Sequence, residues 1–130
     1  MILGVDYGSK RIGLALGSAD LKISLPFKML DNKNFEFLLL EFRKIINEEK
    51  VKKIVVGLPV SLAGKITDRT KETQKFIVLL AKNLMIPIIA IDERLTSKLA
   101  DKIGGGFKKK GARDIGAAMI ILENFFSREK

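Results

Sequence analysis

Acidic residues at three points of the chain are the candidates for chemistry. Asp6 follows a short apolar run at residues 2–5, and Asp92 and Glu93 follow a second apolar run. Asp114 lies near the start of the last predicted helix. Carboxylates on rigid elements, beside glycines that leave space, can hold divalent cations next to a phosphate. If these acids converge, two cations could activate a water and stabilise a leaving oxygen, so that no protein nucleophile is needed.

Each of these acids also suits a purely structural role. Asp6 could form the turn that follows it, since Asp side chains often bond to the backbone of their own turn. Asp92 could pair with an arginine, and Asp114 lies where the helix dipole favours an acid. Adjacent side chains on a strand point to opposite faces, so only one of Asp92 and Glu93 can easily share a site with Asp6. The apolar pattern of that strand does not say which one.

The absence of two residue types narrows the possible chemistry. The 130 residues include no cysteine and no histidine, which excludes cysteine nucleophiles, Ser-His-Asp triads, disulfides and the usual zinc ligands. Oxygen ligands remain, and they suit Mg²⁺ or Mn²⁺. The net charge of +9 favours a polyanionic partner such as nucleic acid, although a lysine-rich solvated surface would give the same charge.

A glycine- and lysine-rich segment precedes the last acid. Residues 104–106 are glycines, and the basic residues that follow are Lys108, Lys109, Lys110 and Arg113. This segment could clamp a phosphate backbone, whereas most charge runs are simply solvated. Its glycines do not form a P-loop, which needs a Gly-Lys-Ser/Thr sequence at the start of a helix.

Hydrophobic periodicity predicts one α/β domain over residues 1–130 with the element order β-β-β-α-β-α-β-α. The predicted strands are residues 2–5, 11–17, 24–30, 53–58 and 87–92. The predicted helices begin after Asn34 and after Thr67 or Asp68, with a short helix at 97–103 and the last helix at 112–126. Pro26 marks the third strand as an edge or irregular strand. This alternation implies right-handed crossovers and a mixed five-stranded sheet covered by helices on both faces.

The predicted topology places three polar or turn-forming points along one edge of the sheet. Carboxyl ends of parallel strands lie along the same edge, so Asp6, Leu58-Pro59 and Asp92-Glu93 should meet there. The second long helix is expected to bury Phe76, Ile77, Leu80 and Leu84. The last helix is expected to bury Ile115, Met119, Leu122 and Phe126, with Gly116, Ala117 and Ala118 allowing close approach to the sheet.

Four segments in this order, GVDYGSKRIGLAL, VVGLPVSLAG, DERLTS and RDIGAAMIIL, resemble the YqgF/RuvX family. Members of this family are Holliday-junction-resolvase-like proteins of the ribonuclease H-like fold and are named as pre-16S rRNA nucleases. The resemblance spans nearly the whole chain. It implies a bacterial cytoplasmic protein that cleaves nucleic acid with a divalent metal and takes part in maturation of the 5′ end of 16S rRNA.

The resemblance also implies roles for individual residues. The acidic positions of the family fall on Asp6, Glu93 and Asp114, which would hold Mg²⁺ or Mn²⁺, with Asp92 in reserve. The basic and hydroxyl positions of its motifs fall on Lys10, Arg11, Arg94 and Thr96. Together with the basic segment before the last helix, these residues are expected to bind phosphates.

Three hypotheses follow for the activity. The first is a metal-dependent nuclease that acts on structured RNA or on branched DNA such as a Holliday junction. The second is a non-catalytic RNA-binding factor in ribosome assembly, which would share the charge and fold but not need the acids. The third is a phosphotransferase or an ATPase, because residues 6–9 resemble the first phosphate motif of actin-like ATPases. Those enzymes need two lobes, and this chain has the length of one.

The location and assembly of the protein are also expectations. The longest apolar runs are too short to span a bilayer, and Asp6 interrupts an N-terminal run that lacks a basic region before it. We therefore expect a soluble, cytoplasmic protein without a signal peptide. A homodimer would suit a resolvase-like enzyme, because a junction has two strands to cut.

Overall fold

The computed structural model describes residues 1–61, 63–93 and 112–128. Its strands and helices follow the predicted order. In chain order they are β1 (Ile2–Tyr7), β2 (Arg11–Ser18), β3 (Ile23–Asp31), α1 (Phe35–Glu49), β4 (Lys53–Pro59), α2 (Asp68–Asn83), β5 (Ile88–Glu93) and α3 (Ala112–Arg128). The short helix predicted at 97–103 lies outside the described residues. Among these residues, no helix combines the length and apolar character needed to cross a membrane.

The five strands form one mixed sheet in the order β3-β2-β1-β4-β5. β1, β2 and β3 are antiparallel, whereas β4 runs parallel to both β1 and β5. Val5 is level with Val56, and Pro59 is level with Glu93. The carboxyl ends of β1, β4 and β5 therefore lie along one edge of the sheet, as predicted. We call this edge the carboxyl edge.

The outer strand β3 is irregular next to Pro26, which confirms the prediction made from that residue. Leu14 of β2 pairs with Lys28, but the next residue, Ala15, pairs with Pro26, so Phe27 is an extra residue in the register. Proline has no N–H to donate to a ladder, and for this reason it is confined to edges and bulges.

Helices cover both faces of the sheet. On one face, α1 and α2 bury Leu38, Phe42, Phe76 and Leu80 against the strands. Asn34 caps α1 as predicted, because its Oδ1 accepts a 2.8 Å hydrogen bond from Phe37 N. Thr67, rather than Asp68, caps α2. Leu84 is buried as predicted, but Ile77 is only partly buried.

On the other face, α3 lies across the sheet and buries a wider surface than the predicted stripe. Leu122 and Phe126 are buried as expected, but Ile115 and Met119 are only partly buried. The other buried apolar side chains of α3 are Ala117, Ala118, Ile120, Ile121 and Phe125. The buried surface of α3 is wide because glycines on three strands bring this helix close to the sheet. A Cβ on Gly4, Gly13 or Gly57 would collide with α3.

Candidate metal and nucleic-acid site

Asp6 lies at the carboxyl edge, on the face of the sheet that α3 covers. Asp6 is two residues after Gly4 on β1, and residues two apart on a strand lie on the same face. Because Gly4 packs against Leu122 of α3, the Asp6 side chain lies on the α3 face as well. Arg69 forms an ion pair with this carboxylate, and its Nη2 is 3.7 Å from Asp6 Oδ1. The same guanidinium donates a long hydrogen bond, 3.5 Å, to the carbonyl oxygen of Tyr7. Arg69 therefore contacts β1 at the point where the strand ends.

The first turn of α2 places Arg69 in this position. Thr67 and Thr70 cap the helix reciprocally through side-chain and backbone hydrogen bonds of 3.0 and 3.2 Å. The buried hydroxyl of Thr70 also donates to the carbonyl oxygen of Pro59, the last residue of β4. The start of α2 is thereby fixed to the carboxyl edge, and Arg69 lies between the two capping threonines in sequence.

Burial raises the pKa of Asp6 from its ordinary value of 3.8 to about 6. The positive charges of Arg69 and Arg113 oppose this rise in pKa, whereas the negative charges of Asp114 and Glu93 add to it. The Asp6 carboxylate is thus influenced by both other candidate acids. Perturbed pKa values of this kind are typical of functional sites, although structural ion pairs produce them too.

Asp114 lies in the first turn of α3, directly over β2. Its Oδ2 is 3.1 Å from Arg11 Nε. The approach does not have hydrogen-bond geometry, and this buried oxygen accepts no hydrogen bond from any described residue. The contact with Arg11 is therefore an ion pair, in which Oδ2 faces a positive charge without accepting a hydrogen bond. A buried carboxylate oxygen that accepts no hydrogen bond is suited to act as a ligand of a metal cation.

The structure places Glu93, and not Asp92, on the face occupied by Asp6 and Asp114. Glu93 is only 6% exposed and its Cγ lies near Gly57, which also faces Ile121 of α3. Asp92 is exposed on the opposite face. The side-chain amide of Asn124 on α3 contacts both carboxylate oxygens of Glu93, with Nδ2 2.9 and 3.0 Å from them.

The three acids share one face but are not gathered into a single cluster. No group of three acidic side chains in the described ranges is close enough to hold a metal ion as it stands. Asp6 is near Arg69, Asp114 is near Arg11, and Glu93 is hydrogen-bonded to Asn124. The oxygen donors fit Mg²⁺ or Mn²⁺ in type, and Asp114 Oδ2 accepts no hydrogen bond from the described residues. Side-chain movement would be needed to bring all three to one site.

Residues 1–128 match the sequence profile of a family described as "RuvX: Holliday junction resolvase". The chain belongs to the RuvX family. It is 37% identical to a "Putative pre-16S rRNA nuclease" of Maridesulfovibrio salexigens, and the match covers 98% of both chains. It is 35% identical to a protein of the same name from Rickettsia africae, over 94% of this chain and 82% of the relative. These matches confirm the family expected from the four sequence segments.

The fold of this RuvX chain is also that of solved resolvases. The structure of T. thermophilus RuvC in complex with a Holliday junction substrate superposes with a TM-score of 0.61 and 13% identity, over 98% of this chain and 94% of RuvC. Fowlpox virus resolvase, in complex with substrate Holliday junction DNA, gives a TM-score of 0.59 and 10% identity over 99% of both chains. At such low identity these likenesses confirm the ribonuclease H-like fold alone.

Three of the predicted basic residues lie in the part of the chain that the structure describes. Lys10 and Arg11 are exposed beside the turn between β1 and β2, and the side chain of Asn32 fixes this turn by donating to Gly8 O at 2.8 Å. Arg113 is exposed at the start of α3. The remaining predicted contacts, Arg94, Thr96, Lys108, Lys109 and Lys110, lie outside the described residues.

Sequence reasoning missed Arg69 and Asn124. Arg69 could have been found from the topology, because the helix after β4 must begin near the carboxyl edge and its first turn carries this cation. Asn124 is a polar residue within the run of buried residues on α3, where an apolar side chain would have served the core better. A partly buried amide in such a run needs a hydrogen-bond partner, and Glu93 is that partner.

Proposed function

We propose that this RuvX chain is a divalent-metal-dependent nuclease that hydrolyses phosphodiester bonds in processing of the 5′ end of pre-16S rRNA. The observation that carries the proposal is the arrangement of Asp6, Glu93 and Asp114 on one face at the carboxyl edge, with a buried Asp114 oxygen that accepts no hydrogen bond from the described residues. Because the chain has no histidine and no cysteine, carboxylates are the natural ligands for a hydrolytic site.

The three carboxylates would hold Mg²⁺ or Mn²⁺. When bound, such cations supply an activated water and stabilise the leaving oxygen. Asp92 is less suited to this role, because its exposed side chain lies on the opposite face from Asp6. Above a pH of about 6 Asp6 is ionised and can act as a ligand.

Arginine side chains beside the acids would bind and orient the phosphate. Arg11 and Arg69 contact Asp114 and Asp6, and about half of each arginine side chain is exposed, at 43% and 51%. Their guanidinium groups can therefore turn toward a phosphate, which they bind in a planar, bidentate manner. Lys10 and Arg113 extend this positive surface. Further contacts are proposed for Arg94, Thr96, Lys108, Lys109 and Lys110.

Precursor rRNA is preferred as the substrate because the relatives at 35–37% identity are named for it. The alternative is a resolvase that acts on four-way DNA junctions, in keeping with the family description and the distant structural neighbours. A non-catalytic role in ribosome assembly is the second alternative. The rRNA substrate would require a cytoplasmic location, and a homodimer stays a prediction for the resolvase role.

Substitution of Asp6 by Asn tests the proposed nuclease. Both a pre-16S 5′ leader RNA and a four-way DNA junction are incubated with wild-type and Asp6→Asn protein, with Mn²⁺ or with EDTA. We expect metal-dependent cleavage of the RNA, loss of cleavage in the variant and nearly unchanged binding. Asp20→Asn is the control, since Asp20 is exposed in the turn between β2 and β3 at the opposite end of the sheet. Full cleavage by Asp6→Asn would refute the proposal.

A further inference from the structure

We infer that Asn124 is a positioning residue that holds Glu93 in a resting position, apart from the other two acids, until a divalent cation draws it away. This inference rests on the proposed function. The contact itself is specific: one amide nitrogen lies within hydrogen-bond distance of both oxygens of a nearly buried carboxylate. Nothing in the family resemblance assigned a role to this position.

The spacing along α3 shows why this is a resting position. Asn124 follows Asp114 by ten residues (124 minus 114) on the same helix. At a rise of about 1.5 Å per residue, the two positions are about 15 Å apart along the axis. Oxygen ligands of one Mg²⁺ each lie about 2.1 Å from the ion. A Glu93 carboxylate bound to Asn124 therefore cannot share a cation with Asp114, in accord with the absence of a three-acid group among the described residues.

The chemistry of asparagine suits a partner that must be released. Its amide donates hydrogen bonds to the carboxylate but carries no charge, so it does not form an ion pair with Glu93 that a cation would have to displace. A lysine or arginine at this position would neutralise Glu93 and compete directly with the metal. An apolar residue would leave the buried carboxylate without this donor, at a considerable desolvation cost.

Electrostatic repulsion explains why a resting position is needed. Without a cation, three carboxylates brought together would repel one another and favour protonation. Asp6 already feels the charges of Asp114 and Glu93 in the present arrangement. Holding Glu93 at Asn124 limits this repulsion. A bound cation would neutralise the carboxylates, so that Glu93 would no longer have to be held apart.

Metal binding by the purified protein, without nucleic acid, tests the inference. Mn²⁺ affinity is measured by titration calorimetry for the wild type, Asn124→Ala and Asn124→Leu; the leucine retains the side-chain volume and lacks the donor. We expect both variants to bind Mn²⁺ about tenfold more tightly, because the cation no longer competes with the amide. Asn83→Ala is the matched control, since its side chain donates to Leu79 O at the far end of α2. Its affinity should equal that of the wild type.

The cleavage kinetics provide a second measurement. The variants should reach half-maximal cleavage at about one tenth of the wild-type Mn²⁺ concentration. Unchanged or weaker Mn²⁺ binding in a variant that retains the wild-type circular dichroism spectrum would overturn the inference. If the Asn124 variants give that result but Mn²⁺ binding by the wild type depends on Asp6, the proposed nuclease function stands and only the proposed role of Asn124 is refuted. If the wild type binds no Mn²⁺, both fail.

Discussion

Gly13 of β2 lies directly beneath Asp114 of α3, and the two backbones are so close that a Cβ on Gly13 would overlap the carbonyl oxygen of Asp114. Gly13 is also the residue that pairs with Asp6 across the β1–β2 ladder. Because Gly13 has no side chain, the end of α3 that carries Asp114 can lie beside Asp6. The glycine in the first sequence segment and the aspartate in the last are parts of the same contact.

Substitution of Gly13 by Ala should separate Asp114 from Asp6. The neighbour is backbone, which cannot rotate away, so the start of α3 must move. We expect a loss of about 1–3 kcal/mol in the free energy of unfolding, as for other overpacked sites. A displacement of about 1 Å at a catalytic group can reduce cleavage by about 100-fold. Urea unfolding and single-turnover cleavage measure the two effects.

Gly17→Ala is the matched control for that substitution. It lies on the same strand and face, but its added Cβ would meet the tip of the Phe126 ring at 2.8 Å, and this ring can shift. We expect a smaller loss of stability and nearly wild-type cleavage. Equal cleavage by the Gly13 and Gly17 variants would show that the close contact with Asp114 does not matter for activity.

The raised pKa of Asp6 predicts a pH dependence of stability for the metal-free protein. With a pKa of about 6 against an ordinary 3.8, the folded state holds this proton more tightly than the unfolded state. The stability contributed by protonated Asp6 is therefore fully present below pH 3.8 and is lost as the pH rises through about 6. Because one pKa unit corresponds to about 1.4 kcal/mol, ionised Asp6 destabilises the neutral-pH fold by at most about 3 kcal/mol.

Asp6→Asn removes this cost, so the variant should be more stable than the wild type at pH 7 in EDTA. The difference in the free energy of unfolding should shrink toward zero as the pH falls to about 4. Urea titrations at a series of pH values measure it, and Asp20→Asn serves again as the exposed control. A variant that is less stable than the wild type at pH 7 would contradict the assigned burial of the Asp6 carboxylate.

The order of elements was predictable because each one has a strong local signal. β-branched runs that end in glycine or proline marked the strands, and polar residues marked the start of the helices, as Asn34 does for α1. The position of Asp6 at the carboxyl edge followed from topology alone. The extent of packing was harder to predict, because the close approach of α3 depends on glycines of the strands, such as Gly4 and Gly13, as well as on small residues of α3 such as Ala118.

The site was predictable in its acids but not in their partners. The all-apolar strand before Asp92 and Glu93 hides its alternation, so its sequence could not say which acid faces α3; the fold decides this through Gly57 and Ile121. Arg69 and Asn124 act through contacts with residues that are distant in sequence, 63 positions (69 minus 6) and 31 positions (124 minus 93) away. Neither pairing has a local sequence pattern, and only the folded chain brings them together.

Arg69 should contribute a phosphate contact that its distance from the sequence motifs concealed. Arg69→Ala is expected to weaken binding of the pre-16S leader and to reduce the slope of log K against log salt by about 0.7–0.9, the value of one phosphate contact. Arg43→Ala is the matched control, because Arg43 is also an exposed arginine, but its Nη2 donates to Asn83 O at the opposite end of the sheet. Fluorescence anisotropy in EDTA over a range of salt concentrations gives both slopes. If the Arg69 and Arg43 variants have the same slope, Arg69 serves only to balance the charge of Asp6, and the phosphate-binding surface lies with Lys10, Arg11 and Arg113.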